Sequence, residues 1–411
     1  MQPAFSEEIQ WGETNMTNRE RERMTLDFEK PDRGAIEETF YPWVLTCRRF
    51  KEEGFPAEIA DGARDITNDL VGKGENDNPE KYLPVTWGEG VMRYEQEFGF
   101  DPVRRCHFVL PFRRFEEKLI EETPAYVIKQ DIFGRQNIRR AGSEIEIEHK
   151  PIIEGWEDWE RLKAHGDAEL EKYFTDEAID AAYTPLREGH ERGDYSIRLN
   201  LEGFFWVPRE LRGNAAHLYA VYEEPELLHD ICEYVFKVYS TKLLRVIDII
   251  QPDIVYMMED LSGKTGPMIS NKMFDEFVGA YYRRLFPLLR EHGVHNIFVD
   301  TDGDFMMMIP HFMDAGVDGF LPMDVNAGMD IVKVRENFPR LKIIGGYNKL
   351  RIAEGPAAID AEFDRILPVV RQGGYIVGAD HQVPPSASIE NYRYYIKRLR
   401  EVMAQCGADL K

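Results

Sequence analysis

Three acids punctuate residues 298–305, FVDTDGDF: Asp300, Asp302 and Asp304 stand at alternate positions behind an apolar run. The run reads as a buried strand, and Asp300 and Asp302 fall on the same side at its end. A carboxylate buried there without a partner is costly. Each therefore needs a proton, a metal ion or a set of backbone amides. Asp304 has the simplest reading, as the cap of a helix that starts near Phe305. Asp300 and Asp302 stay open between a structural role and a chemical one.

Other ionisable residues end apolar runs in the same way. Glu202 follows RLNL, Glu259 and Asp260 follow VYMM, and Asp324 follows GFLPM. Asn348 and Lys349 follow IIGGY, and Asp380 and His381 follow YIVGA. Asp260 precedes LSGKTG and suits a turn, which makes Glu259 the stronger functional candidate. Lys349 is placed either to pair with one of these acids or to hold a substrate carboxylate. Of the ten histidines, His381 stands at a strand's carboxyl end, whereas His292 and His295 flank a strand's entry. GKTG at 263–266 lacks the spacing of a phosphate loop. A carboxylate set with one histidine suits two chemistries. It can hold a divalent ion through oxygen and nitrogen donors, or move protons, with neighbouring acids raising one pKa.

Those residues need elements to carry them. Thr17 with Glu20 three residues on forms a capping box for a helix in MTNRERERMTLDF, which stops before KPDRG. Residues 34–65 look helical. From about 105 to 150 the pattern has period two, in HFVLPF, AYVIKQDI, QNIRR and SEIEIEH, with Gly134 in the turn DIFGRQ. That predicts an antiparallel meander. EGWEDWERLKAHG follows as an amphipathic helix. From about 195 the rhythm is strand, loop, helix, with a long helix over 224–250 and another capped by Ser270 and Gly293.

Five apolar strands, each followed by a helical segment, demand a parallel sheet covered by helices. No G-x-G-x-x-G follows a strand, so a (β/α)8 TIM barrel is the expected fold. The chain reads as one domain over 1–411, with a helical extension (1–105), a meander decoration (105–150) and the most recognisable barrel part at 195–400. Residues 1–15 are polar and expected to fray or drape on the surface. In such a barrel the active site lies at the carboxyl ends of the strands, where the residues above collect.

A formal net charge of −23, from 74 acids and 51 bases, argues against nucleic acid or an anionic membrane as partner. The four cysteines, Cys47, Cys106, Cys232 and Cys406, are too scattered for a disulfide framework. The start MQPAFSEEIQWGETN lacks a basic and then apolar signal pattern. No run of about 18 apolar residues predicts a membrane span, so a cytoplasmic protein is expected.

Several segments resemble the uroporphyrinogen decarboxylase-like superfamily: MTNRERERMTLDFEKPDR, MMEDLSGKTGPMIS, VDTDGDFMMMIPHFMDAGVDGFLPMDVNAGMDIVKVRENFP, IIGGYNK and GADHQVPPSASIENYRYY. The resemblance runs over most of the chain and is strongest from about 195 to 400. It implies a (β/α)8 barrel and places the chain nearer the corrinoid-linked methyltransferases than the true decarboxylases. The latter carry an arginine motif close to R-Q-A-G-R-Y, which is absent from PDRGAIEETFYPWVLTCRRF. The thiol-activating branch holds zinc with His-x-Cys-Gly and a later Cys before a proline pair. Asp300-Thr301-Asp302-Gly303 and His381 in HQVPP fall at those places. The resemblance therefore implies a divalent ion, zinc first, on Asp300, Asp302 and His381 with Glu259, although the thiolates are gone.

The functional expectation is a corrinoid-dependent methyltransferase component. It would take a methyl group from a small methylated substrate, such as a methoxylated aromatic or a methylamine-like compound, and pass it to the cobalamin of a partner protein. Glu259, His381 and Lys349 are the expected catalytic groups. Glu202, Asp324 and Asn348, with Phe204, Phe205, Trp206 and Tyr347 as an apolar wall, are the expected substrate contacts. A homodimer is among the expected assemblies. The alternatives are a metal-independent decarboxylase or lyase with Lys349 holding the acid, and a ligand-binding barrel without activity.

Overall fold

Seven short runs pair side by side in parallel, in the order in which they occur in the chain. They are β1 (Val103–His107), β2 (Ser196–Glu202), β3 (Ile254–Met258), β4 (Asn296–Asp300), β5 (Gly319–Leu321), β6 (Lys342–Tyr347) and β7 (Tyr375–Ala379). The computed structural model describes residues 16–63, 85–86, 89–113, 115–131, 134–142 and 146–410. The expectation for residues 1–15 lies outside them.

Alternation along each strand sorts the two faces of the sheet. Ile254, Tyr256, Phe298, Leu321, Ile344 and Ile376 form one cluster on the inner face. Leu199, Val255, Ile297, Ile343 and Val377 join the larger core beneath the covering helices. The sheet is a curled, barrel-like α/β arrangement of seven parallel strands, with Val85–Thr86 pairing antiparallel beside β1, and among the described residues no ladder closes it into a ring. Residues 35–39 touch both sides of the opening without joining a ladder. The Asp101 amide donates to the Ile36 carbonyl (2.8 Å), Arg105 to the Glu38 carbonyl (2.9 Å), and the Ala379 amide to the Glu38 carboxylate (2.8 Å).

Local signals explain much of the helix placement. Thr17 and Glu20 close the capping box on α1 (Asn18–Leu26). The Ser270 side chain takes the Met273 amide, and Gly293 has φ of +94° past the end of that helix. The long helix over 225–250 carries a π-turn at Tyr239–Leu243.

Two expectations are corrected. Residues 34–43 are not helical; α2 (Val44–Glu52) and Ala57–Ala63 are. Ala35 and Ile36 are buried at the sheet opening, which overrides helix propensity there. Nor does the meander begin at 105. Val103–His107 pairs in parallel with β2, and the four antiparallel strands are Lys118–Glu122, Tyr126–Gln130, Gln136–Arg140 and Glu146–Lys150. The alternation in HFVLPF misled because only its first residue, His107, belongs to a strand; the rest lies in the loop after β1. All four cysteines are buried and free. Among the described residues no helix is long and apolar enough to cross a membrane.

Candidate active site

The loops after β3 and β4 are laced together at the carboxyl end of the sheet. The Asp302 amide donates to Asp260 Oδ1 (3.1 Å), the Leu261 amide to the Thr301 hydroxyl (3.3 Å), and the Asp304 amide to the Gly263 carbonyl (2.9 Å). Gly303 permits this approach: its φ is +81°, and a Cβ there would press on the Ser262 and Gly263 carbonyls. Asp260 itself is left-handed at φ +42°, a conformation that aspartate tolerates better than most residues. Asp304 takes the Met306 amide (3.1 Å) at the start of a short helical turn.

This lacing gathers Asp260, Asp300 and Asp302. Asp300 is 6% exposed, and among the described residues its carboxyl receives no hydrogen bond. Burial, then the charges of Asp260 and Asp302, hold it well above the usual carboxylate range. Burial and the Asp302 charge also raise Asp260, against the opposing Asp302 amide. His381 Nε2 stands 3.5 Å from Asp302 Oδ2. The rings of Phe40 and Trp43 lie 5.4 and 5.9 Å from the His381 ring. They arrive on the segment before α2, which grips the loop after β7. The Thr46 hydroxyl donates to the Val383 carbonyl (2.7 Å), and Arg49 to the carbonyls of Pro385 (3.0 Å) and Ser386 (2.7 Å).

Glu259 is elsewhere, and its expected catalytic and metal-binding roles are corrected. It is fully buried and takes the amides of Phe204 (3.1 Å), Phe205 (2.9 Å) and Trp206 (2.9 Å), together with the Tyr282 hydroxyl. A Cβ on Gly203 would collide with that carboxylate. Burial pushes Glu259 to about 7, against the lowering effect of these donors. It clamps the loop after β2.

The other expected contacts divide. Phe204 packs on Tyr281 and Tyr282, and Tyr347 on Phe363 and Tyr395. Both are core, a correction to their expected place in a substrate wall. Phe205 packs edge-on against His217. Trp206 is half-buried under the Arg209 guanidinium, 4.6 Å from its ring centre. Glu202 pairs with Arg113 at 2.7 Å. Asp324 takes the Asn326 amide (3.1 Å). The Asn348 side-chain oxygen takes the Leu350 amide (3.1 Å) and the Asn326 amide nitrogen (3.2 Å). Lys349 Nζ lies 3.6 Å from Asp380 Oδ1. Buried Asp380 also takes the Lys349 and Val325 amides (2.9 and 3.0 Å).

The fit to a metal ion is decided by these positions. Among the described residues no three His, Cys, Asp or Glu side chains are grouped as a ligand set, and both Glu259 oxygens are occupied. The donors present do not fit the zinc site expected on Asp300, Asp302, His381 and Glu259, so no step is assigned to a metal. Sequence reasoning set Asp260 aside as a turn residue and passed over Phe40 and Trp43. The dipeptide Glu259-Asp260 carried the signal for the first, but not which acid turns inward. A cavity of about 300 Å³, lined by Arg19, Gln251, Asp253 and Asn296 among others, lies at the opposite end of the sheet.

Comparison with known proteins agrees with this architecture. The uroporphyrinogen decarboxylase (URO-D) family matches residues 209–402. The uroporphyrinogen decarboxylase of Campylobacter concisus (strain 13826) is 23% identical over 210 residues, 47% of this chain. The match spans 56% of that relative's length. Among solved structures, a methyltransferase from Methanosarcina mazei superposes with a TM-score of 0.55 at 14% identity, covering 94% of this chain and 98% of the other.

Proposed function

We propose that this chain, which carries a uroporphyrinogen decarboxylase-family domain over residues 209–402, is a methyltransferase acting on a small methyl ether. It passes the methyl group to the corrinoid of a partner protein. The observation that carries this reading is Asp300, a buried acid with no donor among the described residues, raised by burial and then by Asp260 and Asp302. A carboxyl raised in this way favours its protonated form and is suited to give the proton to a leaving oxygen. The corrinoid supplies the nucleophile that accepts the methyl group. As the methyl–oxygen bond breaks, its electron pair stays on the oxygen, which takes the Asp300 proton. Asp302 stands beside Asp300, and His381 beside Asp302, to return a proton from solvent. The acidic mouth disfavours anionic substrates, and Lys349, already beside Asp380, is poorly placed to serve a decarboxylase. Exposed Trp43, Met307 and Leu350 follow or flank strand ends and offer apolar contact to a docking partner.

The test mixes the protein with cob(I)alamin and a panel of methoxylated aromatics, methylated amines and small carboxylic acids. Methylation in the visible spectrum with an ether donor is expected. Carbon dioxide release without methylation would overturn the reading. Elemental analysis of protein purified without chelator is expected to find no stoichiometric ion. One zinc per chain would reopen the assignment of the proton to Asp300.

A further inference from the structure

Below Asp300 the inner face of the sheet carries a polar row. His107 stands opposite Asn200, Asn200 opposite Tyr256, and Tyr256 opposite Phe298. Asp300 lies two residues beyond Phe298 on the same face, one row nearer the mouth. Tyr256 is 5% exposed, and its ring belongs to the inner cluster.

Most buried tyrosine hydroxyls are accounted for. Several donate to protein oxygens, as those of Tyr41, Tyr239, Tyr282, Tyr347 and Tyr375 do. Those of Tyr183 and Tyr395 have no partner among the described residues and are sealed from solvent. The Tyr256 hydroxyl has no partner among the described residues, yet it is not one of the sealed atoms. Beside it, Asn200 is held by its side-chain nitrogen on His107 Nδ1 (3.1 Å). The Asn200 side-chain oxygen is buried without a partner. Asp300 lies near Tyr256 from above and Arg105 and Arg198 from below. Burial keeps the phenol protonated, and therefore a donor.

A donor without an acceptor among the described residues, not sealed from solvent and with an acid one row above on the neighbouring strand, has the form of an oxygen-binding site. We propose that Tyr256 is a catalytic residue: its hydroxyl donates a hydrogen bond to the leaving oxygen of a neutral methyl ether while Asp300 delivers the proton. The substrate then enters oxygen first, with its methyl group facing the mouth and the partner. When the methyl–oxygen bond breaks, the electron pair and the Asp300 proton both go to the oxygen, and Tyr256 keeps its own proton. This inference rests on the methyl-ether reading and adds to it the orientation of the substrate and a second donor.

Tyr256→Phe removes one oxygen atom and leaves the ring packing in place. With 2-methoxyphenol and cob(I)alamin, kcat is expected to fall roughly 100-fold, the usual effect of removing one donor from a developing oxyanion. Across aryl methyl ethers of decreasing leaving-group acidity the deficit should widen, which a merely structural role would not produce. Equilibrium dialysis of phenol, the product-like probe, is expected to show binding to the wild type at least threefold tighter than to Y256F. Methyl transfer by Y256F within twofold of wild type across the series overturns the inference. Should the wild type methylate nothing, the methyl-ether reading fails by itself. The dialysis then decides Tyr256: equal binding, or none to either protein, overturns its role, while weaker binding to Y256F retains it as an oxygen-binding residue.

Discussion

Glu259 and Asp300 end neighbouring strands, and both are buried acids raised above their usual range by that burial. Their surroundings are opposite. Glu259 has three amides and a tyrosine hydroxyl turned towards it, whereas Asp300 has two other carboxylates for neighbours and no donor among the described residues. A buried acid whose lone pairs are filled by its own chain holds that chain together. A buried acid left bare is held ready for something the chain does not contain.

The contrast can be broken from either side. The largest effect is expected from Glu259→Ala, which strands three amides and a hydroxyl. Urea unfolding should show a loss of about 4 kcal/mol, and a loss near zero would mean the clamp is dispensable. Next comes the pH dependence of stability. In the fold Glu259 is raised from the ordinary 4.5 to about 7, so the folded chain binds this proton more tightly than the unfolded one. Its contribution is full below about pH 4.5 and is lost as pH rises to about 7, up to about 3 kcal/mol. Glu259→Gln has no proton to lose and should flatten that part of the curve.

Asp300→Asn tests the other side. Methyl transfer should fall roughly 100-fold with the unfolding midpoint unchanged or raised, because a carboxyl without donors is removed. It should also abolish the decline of activity on the alkaline side, where the raised Asp300 loses its proton. A large loss of stability instead would make Asp300 a second clamp. The smallest effect is expected from Trp43→Ala, which removes only the stacking on His381. A fall in kcat/KM of about fivefold, with stability intact, matches about 1 kcal/mol for one aromatic contact.

Local rules were legible in the sequence where the partners are close along the chain. Thr17 with Glu20, Ser270 with Met273, and Asp304 with Met306 all join within three residues, and spacing alone identified them. The apolar strands from Ser196 onward were legible because their outer residues are uniformly buried under helices. Residues 34–43 and the stretch from about 105 were misread because contacts far along the chain decide their conformation, Ala379 on Glu38 and Ser196 beside Val103 among them. The choice between Glu259 and Asp260 depended on the left-handed backbone at Asp260, which residue types alone do not reveal. Tyr256 stayed hidden for a similar reason. A tyrosine inside an apolar strand looks like packing until the fate of its hydroxyl is known.

The grip of α2 on the loop after β7 has a consequence in time. Thr46 and Val383 are 337 residues apart in sequence, and closing a loop of that length costs about 5 kcal/mol of chain entropy. During synthesis the half-clamp formed by Phe40, Trp43 and Arg49 emerges early and waits for the last strand. The surroundings of His381 are therefore completed only after β7 and the loop behind it have been made. A product truncated before Tyr375 would carry the acids of β3 and β4 but not the assembled mouth.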